Sequence, residues 1–216
     1  MKVSIIGTGR MGSGLVKTLE PYVNELFWAS RDKERMESFI HANKLTRIVP
    51  VSYTEALEAD IIIPTLWFRD VIPWAKENKE QLANKILVDI TNPFTEDFTD
   101  FTLDWGNSAA EELQMSIPDT KIVGAFKNTF FQVFENPIHE GLESDVYVTS
   151  DHESAKQMVM TLLSPLPFRV MDGGKLKNNR TIERLTLFER EIAIRYGNYP
   201  YVSNRLFGMK MGHSIN

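Results

Sequence analysis

The 216-residue chain contains no cysteine, which excludes a disulfide framework, a thiol nucleophile and a thiolate metal site. Histidine is scarce as well, and the four present lack the spacing of metal ligands. We therefore predict no metal site and expect each of these side chains to be a surface or capping residue: His41, His139, His152 and His213. The longest apolar stretch, 61–68, is interrupted by Pro64 and is too short to cross a bilayer.

An excess of basic residues is also missing. The formal net charge is -5, and nucleic acids and anionic membranes are usually bound by basic patches, so neither is expected as a partner. The first residues already have the pattern of a strand and not of a signal peptide. Together with the lack of cysteine, this pattern favours a cytoplasmic enzyme. The length suits one domain, with or without an appendage.

Three glycines near the start of the chain have the spacing of a dinucleotide-binding turn. Gly7, Gly9 and Gly12 form the pattern G-x-G-x-x-G after a short apolar run at 3–6. The first glycine permits a sharp exit from the strand, the second lets a pyrophosphate approach the backbone, and the third lets the next helix pack closely. That helix offers free N-terminal amides to the phosphates. The spacing alone is common in ordinary loops, but here a helical pattern follows. We predict a cofactor site that includes Gly7, Thr8, Gly9, Arg10, Met11 and Gly12.

The residues after the second apolar run, 26–29, indicate which dinucleotide binds. Ser30 and Arg31 stand where an NAD enzyme usually has an acidic residue for the ribose hydroxyl. A carboxylate there would repel a 2'-phosphate, whereas a hydroxyl and a guanidinium would bind one. The sequence therefore favours NADP over NAD, with Ser30 and Arg31 as ligands of the phosphate. Two alternatives stay open: Ser30 caps the next helix while Arg31 is solvated, or Asp32 is a displaced ribose ligand.

Apolar strands and helical patterns alternate along most of the chain. The strands are predicted at 3–6, 26–29, 47–51, 59–64, 85–90, 121–126, 145–149 and 168–172. This alternation predicts an α/β fold of the doubly wound Rossmann type, with a mostly parallel sheet and a C-terminal helical extension. We expect 1–172 to form an NADP-binding domain that 173–216 completes. The stretch 95–107 is predicted as a surface excursion, and 197–216 has no assignment.

Four segments should meet beyond the carboxyl ends of the strands, where ligands of such sheets bind. They are 7–12, 65–68, 91–94 and 126–131. Thr65, Thr91 and Asn92 are candidates to hydrogen-bond the ribose and the nicotinamide amide, and we assign Leu66 and Ala125 to the same site. Aromatic side chains would give a flat lining on which a ring could stack, although several of them could equally belong to the core. They are Trp67, Phe68, Phe94, Phe130 and Phe131.

No catalytic triad, carboxylate pair or Tyr-x-x-x-Lys pattern is visible, so no catalytic residue is assigned. This pattern suits a reaction in which the cofactor carries the chemistry and the protein positions two rings for hydride transfer. Reduction of a carbonyl or an imine would need a proton donor. Lys127 is the one candidate, and we expect it to be solvated instead.

Several longer stretches resemble one known family. They are 1–14 with Ser30-Arg31, 88–93, 108–112, 122–126, 172–180 and Ile182-Glu183. These stretches are similar to the NADP-dependent reductases of the deazaflavin coenzyme F420, a domain that also occurs in some flavin-using membrane metalloreductases. The resemblance covers the chain from residue 1 to about 197. It implies a Rossmann domain that binds NADP, often as a dimer, and exchanges hydride with a deazaflavin or flavin.

The chain departs from the family pattern near the expected acceptor pocket. The family commonly has Ala-Phe-Asn-Thr where this chain has 125–129, Ala-Phe-Lys-Asn-Thr, and Asp-Ala-Gly-Pro-Leu where it has 172–176. The resemblance therefore supports the NADP site more strongly than the acceptor.

Two functions from different classes follow from these patterns. The first is an NADP-dependent oxidoreductase with a flavin-like or deazaflavin acceptor. The second is a non-catalytic NADP-binding sensor or docking module. The long helix predicted at 179–196 has a broad apolar stripe, which favours a homodimer. The alternative is that this helix covers its own sheet.

Overall fold

The computed structural model describes residues 1–209, and a single mixed sheet organises them. Its strands, together with those of a small separate hairpin, are β1 Val3–Ile6, β2 Leu26–Ala29, β3 Ile48–Val51, β4 Ile61–Pro64, β5 Ile86–Asp89, β6 Lys121–Gly124, β7 Ile138–His139, β8 Leu142–Glu143, β9 Asp145–Ser150 and β10 Arg169–Gly174. The helices are α1 Arg10–Leu19, α2 Lys33–Asn43, α3 Tyr53–Ala56, α4 Phe68–Glu77, α5 Lys79–Leu82, α6 Ala109–Ser116, α7 Glu153–Leu163 and α8 Asn179–Arg195. All eight predicted strands are present, and the β7–β8 hairpin was not predicted.

The strand order of the sheet is β10-β9-β6-β5-β4-β1-β2-β3. Strands β1 to β6 are parallel to one another. The predicted doubly wound Rossmann-type fold with a mostly parallel sheet is therefore confirmed. The chain direction along the sheet reverses between β1 and β4, so the crevice for a ligand opens beyond the ends of these two strands.

Strand β9 is antiparallel to β6, and β10 is parallel to β9. The start of β9 at Asp145 therefore extends past the carboxyl end of β6, whereas Gly174, through Thr149, is level with Gly124 at that end. Gly173 and Gly174 extend β10 beyond the predicted end at residue 172, through an irregularity in its register. None of the residues 172–180 lines the crevice.

Two apolar cores cover the faces of the sheet. On one face, α1, α2 and α7 pack through residues such as Leu15, Met36 and Val159. On the other face, α3, α4 and α6 pack through Ala56, Ala75 and Leu113. The central strands β1, β4 and β5 are buried along their whole length, as a parallel sheet covered on both faces requires.

Helix α8 places polar residues against the sheet and apolar residues outside. Its buried residues are Asn179, Glu183, Thr186, Glu189 and Ala193. The apolar residues of its predicted stripe are all half-buried or exposed: Ile182, Leu185, Leu187, Phe188, Ile192 and Ile194. The helix therefore attaches to the rest of the fold by hydrogen bonds and ion pairs, and its apolar side is only partly covered by residues 1–209.

The stretch after α8 crosses the start of β9. The Asp145 amide donates to the Asn204 carbonyl (3.0 Å), and the Arg169 guanidinium donates to the Leu206 carbonyl (2.6 Å). The remainder of the unassigned tail, 210–216, and the prediction for His213 lie outside the described residues. No helix within residues 1–209 is both long enough and apolar enough to cross a membrane.

Candidate functional site

The glycine turn leaves an open space at the start of α1. Gly7 adopts a φ of +114°, a conformation that side chains disfavour. A Cβ on Gly12 would collide with the Gly7 carbonyl and would lie 2.6 Å from Thr65 Oγ1, whereas a Cβ on Gly9 would meet nothing within 4 Å. Gly9 is the N-cap of α1 and offers no side chain to the free amides. The turn therefore has the shape that a pyrophosphate needs, with free N–H groups facing the space beside Gly9.

The predicted phosphate ligands lie beside this turn. The Thr8 and Ser30 hydroxyls are 2.9 Å apart, and Ser30 Oγ also accepts from the Asp32 amide (3.1 Å). Ser30 is buried, and Arg31 is exposed. The N-cap of α2 is Asp32, whose carboxylate accepts from the Arg35 amide (3.0 Å). Ser30 therefore does not cap α2 directly, and the Asp32 carboxylate is engaged in the cap.

A cleft of about 280 Å³ runs from the glycine turn across the ends of the central strands. Eighteen residues line it: Gly9, Arg10, Met11, Thr65, Leu66, Trp67, Phe68, Ile90, Thr91, Asn92, Phe94, Phe98, Thr129, Phe130, Phe131, Thr186, Arg190 and Tyr199. All five predicted aromatic residues and seven of the thirteen predicted cofactor residues are in this set. The structure therefore brings the four predicted segments together.

The other predicted cofactor residues do not line the cleft: Gly7, Thr8, Gly12, Ser30, Arg31 and Ala125. The first five form or flank the glycine turn. Ala125 is fully buried, and its amide donates to the Asp89 carbonyl (3.1 Å). Because it has no exposed surface and a satisfied N–H, Ala125 lies in the floor of the site, and its direct contact with the cofactor stays a prediction.

The polar side chains at the centre of the cleft donate their protons inward. Thr65 Oγ1 donates to the Ile6 carbonyl (2.9 Å), and Thr91 Oγ1 donates to Asp89 Oδ1 (2.7 Å). Asn92 Nδ2 donates to the Lys127 carbonyl (2.9 Å). Asn92 Oδ1 is buried and has no hydrogen-bond partner among residues 1–209. These groups therefore present acceptor atoms to a ligand.

Lys127 is 1% exposed and lies beneath the cleft, not in solvent as its position at a strand end suggests. Its ammonium donates to Asp89 Oδ2 (2.6 Å), to the Thr91 carbonyl (2.5 Å) and to Glu183 Oε1 (2.8 Å). A lysine has three protons to donate, and all three are engaged. We correct the solvated assignment, and Lys127 has no free proton to deliver to a ligand.

The charges of this buried ion cluster, formed by Asp89, Lys127 and Glu183, depend on one another. Burial alone would lower the pKa of Lys127, but the Asp89 and Glu183 carboxylates reverse this effect and raise that pKa above its usual value. Burial raises the pKa of Glu183, against the opposing effect of Lys127. The ammonium therefore stays charged, and it ties β5 and β6 to α8.

Five residues of the cleft lie outside the predicted segments: Ile90, Phe98, Thr186, Arg190 and Tyr199. Thr129 lies within the predicted segment 126–131 but was not assigned to the site. Phe98 comes from the stretch 95–107, and its ring lies 5.8 Å from both the Trp67 and the Phe94 rings. Tyr199 comes from the unassigned tail and packs edge-on to Phe130 at 5.7 Å. Two further walls of the cleft therefore come from segments whose sequence has no regular periodicity. Only the aromatic residues of 95–107 could have indicated that this stretch reaches the cleft.

The lining residues contain two arginines but no aspartate, glutamate, lysine or histidine. The Arg10 guanidinium stacks on the Phe131 ring at 4.1 Å, near the start of α1. Within 1–209, no group of three or more potential metal ligands is present. Among residues 1–209, the side chains that line the cleft are therefore aromatic, aliphatic, neutral polar or cationic, and none carries a carboxyl group.

Other proteins share this architecture. A solved structure of a candidate F420-dependent NADP-reductase from Arthrobacter sp. superposes with a TM-score of 0.78 at 23% identity, covering 91% of this chain and 95% of that one. The pyrroline carboxylate reductase of Plasmodium falciparum, solved with NADP bound, gives a TM-score of 0.56 at 18% identity, with 91% and 69% covered. These two likenesses concern the fold.

The sequence comparisons identify the family. The chain is 26% identical over 187 residues to the metalloreductase STEAP3 of Rattus norvegicus, covering 86% of this chain and 36% of that protein. It is 30% identical over 215 residues to the F420-dependent NADP reductase of Methanocaldococcus jannaschii, covering 91% of this chain and 94% of that protein. A sequence model of the family described as NADP oxidoreductase, coenzyme F420-dependent, matches residues 2–93. The chain therefore belongs to the family of coenzyme F420-dependent NADP oxidoreductases and is an NADP-dependent oxidoreductase.

Proposed function

We propose that this protein transfers hydride between NADP(H) and the deazaflavin coenzyme F420, with a flavin as the second candidate acceptor. The observation that carries the proposal is one continuous cleft. It has an anion-binding glycine turn at one end and an aromatic lining at the other. A dinucleotide can therefore extend from the turn so that the face of its nicotinamide ring lies against the face of a planar acceptor ring.

The residues at the glycine turn fit the phosphates of NADP. Space beside Gly9 and the free amides of α1 suit the pyrophosphate. Ser30 and the exposed Arg31 follow β2, where the 2'-phosphate of NADP is expected. We propose that the Ser30 hydroxyl and the Arg31 guanidinium bind this phosphate and thereby select NADP over NAD.

The acceptor atoms at the centre of the cleft fit the nicotinamide half. The unpaired, buried Asn92 Oδ1 needs a donor, and the carboxamide N–H₂ of a nicotinamide supplies one. Thr65 and Thr91 keep lone pairs free for ribose hydroxyls, because their own protons are donated inward. Leu66 and Met11 provide apolar contact beside them.

We propose that no side-chain acid takes part in the hydride transfer. NADPH, when bound, supplies the hydride from C4 of its nicotinamide. The part of the chain that the structure describes places no carboxyl, imidazole or ammonium group in the cleft lining, and the Lys127 protons are all engaged. The protein's contribution in this proposal is to orient two rings and to exclude water from between them.

A non-catalytic sensor would have less use for this cleft. In a nucleotide sensor, the space beyond the nicotinamide could be filled by the protein's own side chains. Here that space is free and is lined by Trp67, Phe94 and Phe98. This free space fits the acceptor of a reductase better than it fits a sensor.

We also propose that residues after 172 complete the NADP-binding domain and form a dimer contact. Thr186, Arg190 and Tyr199 line the cleft, so the C-terminal extension is part of the site. On the outer side of α8, Phe188 is 58% exposed and Ile194 is 50% exposed. Because the polar side of α8 already faces its own sheet, a second copy of the chain is the partner that would cover this apolar side.

The proposed function can be tested by mixing the protein anaerobically with NADPH and either coenzyme F420 or FMN. We expect NADPH to be oxidised only when an acceptor is present, and NADP, unlike NAD, to raise the melting temperature in a separate titration. If NADP raises the melting temperature but neither acceptor is reduced, the proposed hydride transfer is contradicted and the sensor is favoured.

A further inference from the structure

Arg190 is the one cation at the acceptor end of the cleft among the residues that line it. The other cation, Arg10, lies at the glycine turn and stacks on Phe131. Arg190 comes from the fourth turn of α8, one turn after Thr186. Each end of the cleft therefore carries one positive charge. The phosphates of a dinucleotide would pair with Arg10 at the glycine turn, which leaves Arg190 without an assigned ligand.

The surroundings of Arg190 hold its guanidinium in place but do not satisfy all of its hydrogen-bond donors. Arg190 Nη1 donates to the Phe98 carbonyl (3.1 Å). The guanidinium carbon lies 5.4 Å from the centres of both the Phe98 and the Tyr199 rings. Arg190 Nε is buried and has no hydrogen-bond partner within residues 1–209. A buried donor on a charged group without an acceptor is costly, so a ligand that brings an acceptor would be stabilised there.

The backbone around Phe98 supports the same conclusion. Phe98 adopts a φ of +58°, which costs energy for a bulky side chain and is common near ligand sites. This conformation directs its carbonyl to Arg190, while its ring packs against Trp67 and Phe94 in the cleft wall. The ring wall and the cation are therefore fixed relative to each other.

We propose that Arg190 binds the pyrimidinedione edge of the acceptor ring and stabilises the negative charge that hydride transfer places there. This inference rests on the proposed function and adds the residue that recognises the acceptor. Flavins and deazaflavins share this edge, with its carbonyl oxygens and acidic ring nitrogen, so one guanidinium serves either acceptor.

The charge balance of the reaction gives Arg190 its role. The C4–H bond of the dihydronicotinamide breaks with its electron pair, a new bond to hydrogen forms on the acceptor ring, and NADP⁺ remains. The acceptor gains one negative charge, which spreads to its pyrimidinedione edge, and a proton from solvent can neutralise it afterwards. A fixed cation at that edge favours the charged product and the transition state that leads to it.

The test compares three substitutions. Arg190→Met removes the charge, and Arg190→Gln removes the charge but can still donate to the Phe98 carbonyl. Arg184→Met is the matched control. Arg184 lies on the same helix, donates to the Leu103 carbonyl (3.0 Å) and stacks on Trp105 at 4.4 Å, yet it does not line the cleft. Light scattering should confirm that all variants keep the native oligomeric state.

We expect both Arg190 variants to lower the acceptor affinity and kcat/KM on the order of 10- to 100-fold, the range for a hydrogen bond to a charged group. NADPH affinity should stay within about twofold of native in the same binding titrations. The pKa of the bound reduced acceptor, followed by its absorbance, should rise toward the value in free solution. Arg184→Met should match the native protein in all three readouts.

The outcomes separate the inference from the proposed function. If native protein oxidises NADPH with an acceptor but both Arg190 variants keep native acceptor affinity and the native acceptor pKa, Arg190 is not the acceptor residue. If Arg190→Met lowers acceptor affinity and kcat/KM but Arg190→Gln keeps the native values, Arg190 acts only by holding Phe98 in place, and the inference is again wrong. If native protein binds neither coenzyme F420 nor FMN in the titration, both the inference and the proposed function are wrong.

Discussion

Arg31 is the side chain on which the proposed choice between NADP and NAD depends. It is exposed beside the buried Ser30 hydroxyl, at the end of β2. We predict that Arg31→Ala weakens NADP binding by about 1.5–3 kcal/mol, because one charge-assisted phosphate contact is lost. NAD has no 2'-phosphate, so its affinity should change little.

The control for this prediction is Arg35→Ala, which removes the same kind of exposed charge one turn into α2. Isothermal titration of each variant with both nucleotides decides the matter. Equal losses for NADP and NAD in Arg31→Ala would show that this residue does not discriminate between them.

Lys127 affects stability and not proton transfer. We predict that Lys127→Met lowers the free energy of unfolding by about 3–5 kcal/mol, because two buried carboxylates lose their common cation. Lys121→Met, a change near the start of β6, should cost far less. Adding Glu183→Gln to Lys127→Met should restore part of the loss, since one buried charge is then removed.

Denaturant unfolding at neutral pH measures these differences. A Lys127→Met variant as stable as native protein would contradict the ion cluster. The sequence could not reveal this cluster, because Asp89 and Glu183 are 38 and 56 residues away from Lys127 along the chain. Only the packing of α8 against β5 and β6 brings the three charges together.

At the scale of one element, two glycines of the turn should respond differently to the same substitution: one should lose NADP binding and the other should lose stability. Gly9 has extended backbone angles, φ -68° and ψ 177°, which a β-branched residue can adopt. A side chain there would meet no protein atom within 4 Å but would fill the space for the pyrophosphate. We therefore predict that Gly9→Val folds normally and loses NADP binding.

Gly12→Val is the contrasting variant, because its side chain would collide with the Gly7 carbonyl and Thr65. It should melt well below the native protein or fail to fold. Circular dichroism melting and nucleotide titration distinguish the two effects. Native NADP affinity in Gly9→Val would remove the glycine turn from the cofactor site.

The strands were predictable because most are short apolar runs, and their ends located the cleft. Periodicity does not show strand direction, however, so the antiparallel placement of β9 was not foreseen. Periodicity located the apolar stripe of α8, but it did not reveal that the inward face carries Glu183, Thr186 and Glu189. A polar helix face can pack against a sheet when the sheet offers buried partners such as Lys127. Those partners are distant in sequence, so the local pattern of α8 could not reveal them.

At the scale of the whole molecule, the outer side of α8 predicts a homodimer. Phe188 is exposed there, and Phe188→Glu would place a charge in the proposed contact. We expect this variant to be monomeric or aggregated, because a buried carboxylate would have to lose its hydration in the contact. Met158→Glu is the control, since Met158 is an apolar residue of α7 that is 41% exposed, and it should remain dimeric.

Light scattering at micromolar concentration measures both the native and the variant masses. A monomeric mass for the native protein would contradict the dimer. Thr186 and Arg190 reach the cleft from within one chain. The oligomeric state therefore does not test the hydride transfer, which needs an experiment of its own.

The most direct test of the central claim follows the hydrogen atom. NADPH carrying deuterium at both C4 positions is mixed with coenzyme F420 in ordinary water, and the reduced acceptor is analysed by mass spectrometry. In a deazaflavin the hydride is received by a carbon atom, so a directly transferred deuterium does not exchange with solvent. We predict one deuterium in each reduced molecule of coenzyme F420. Reduced acceptor without deuterium, or no reduction at all, would contradict direct ring-to-ring transfer in this cleft.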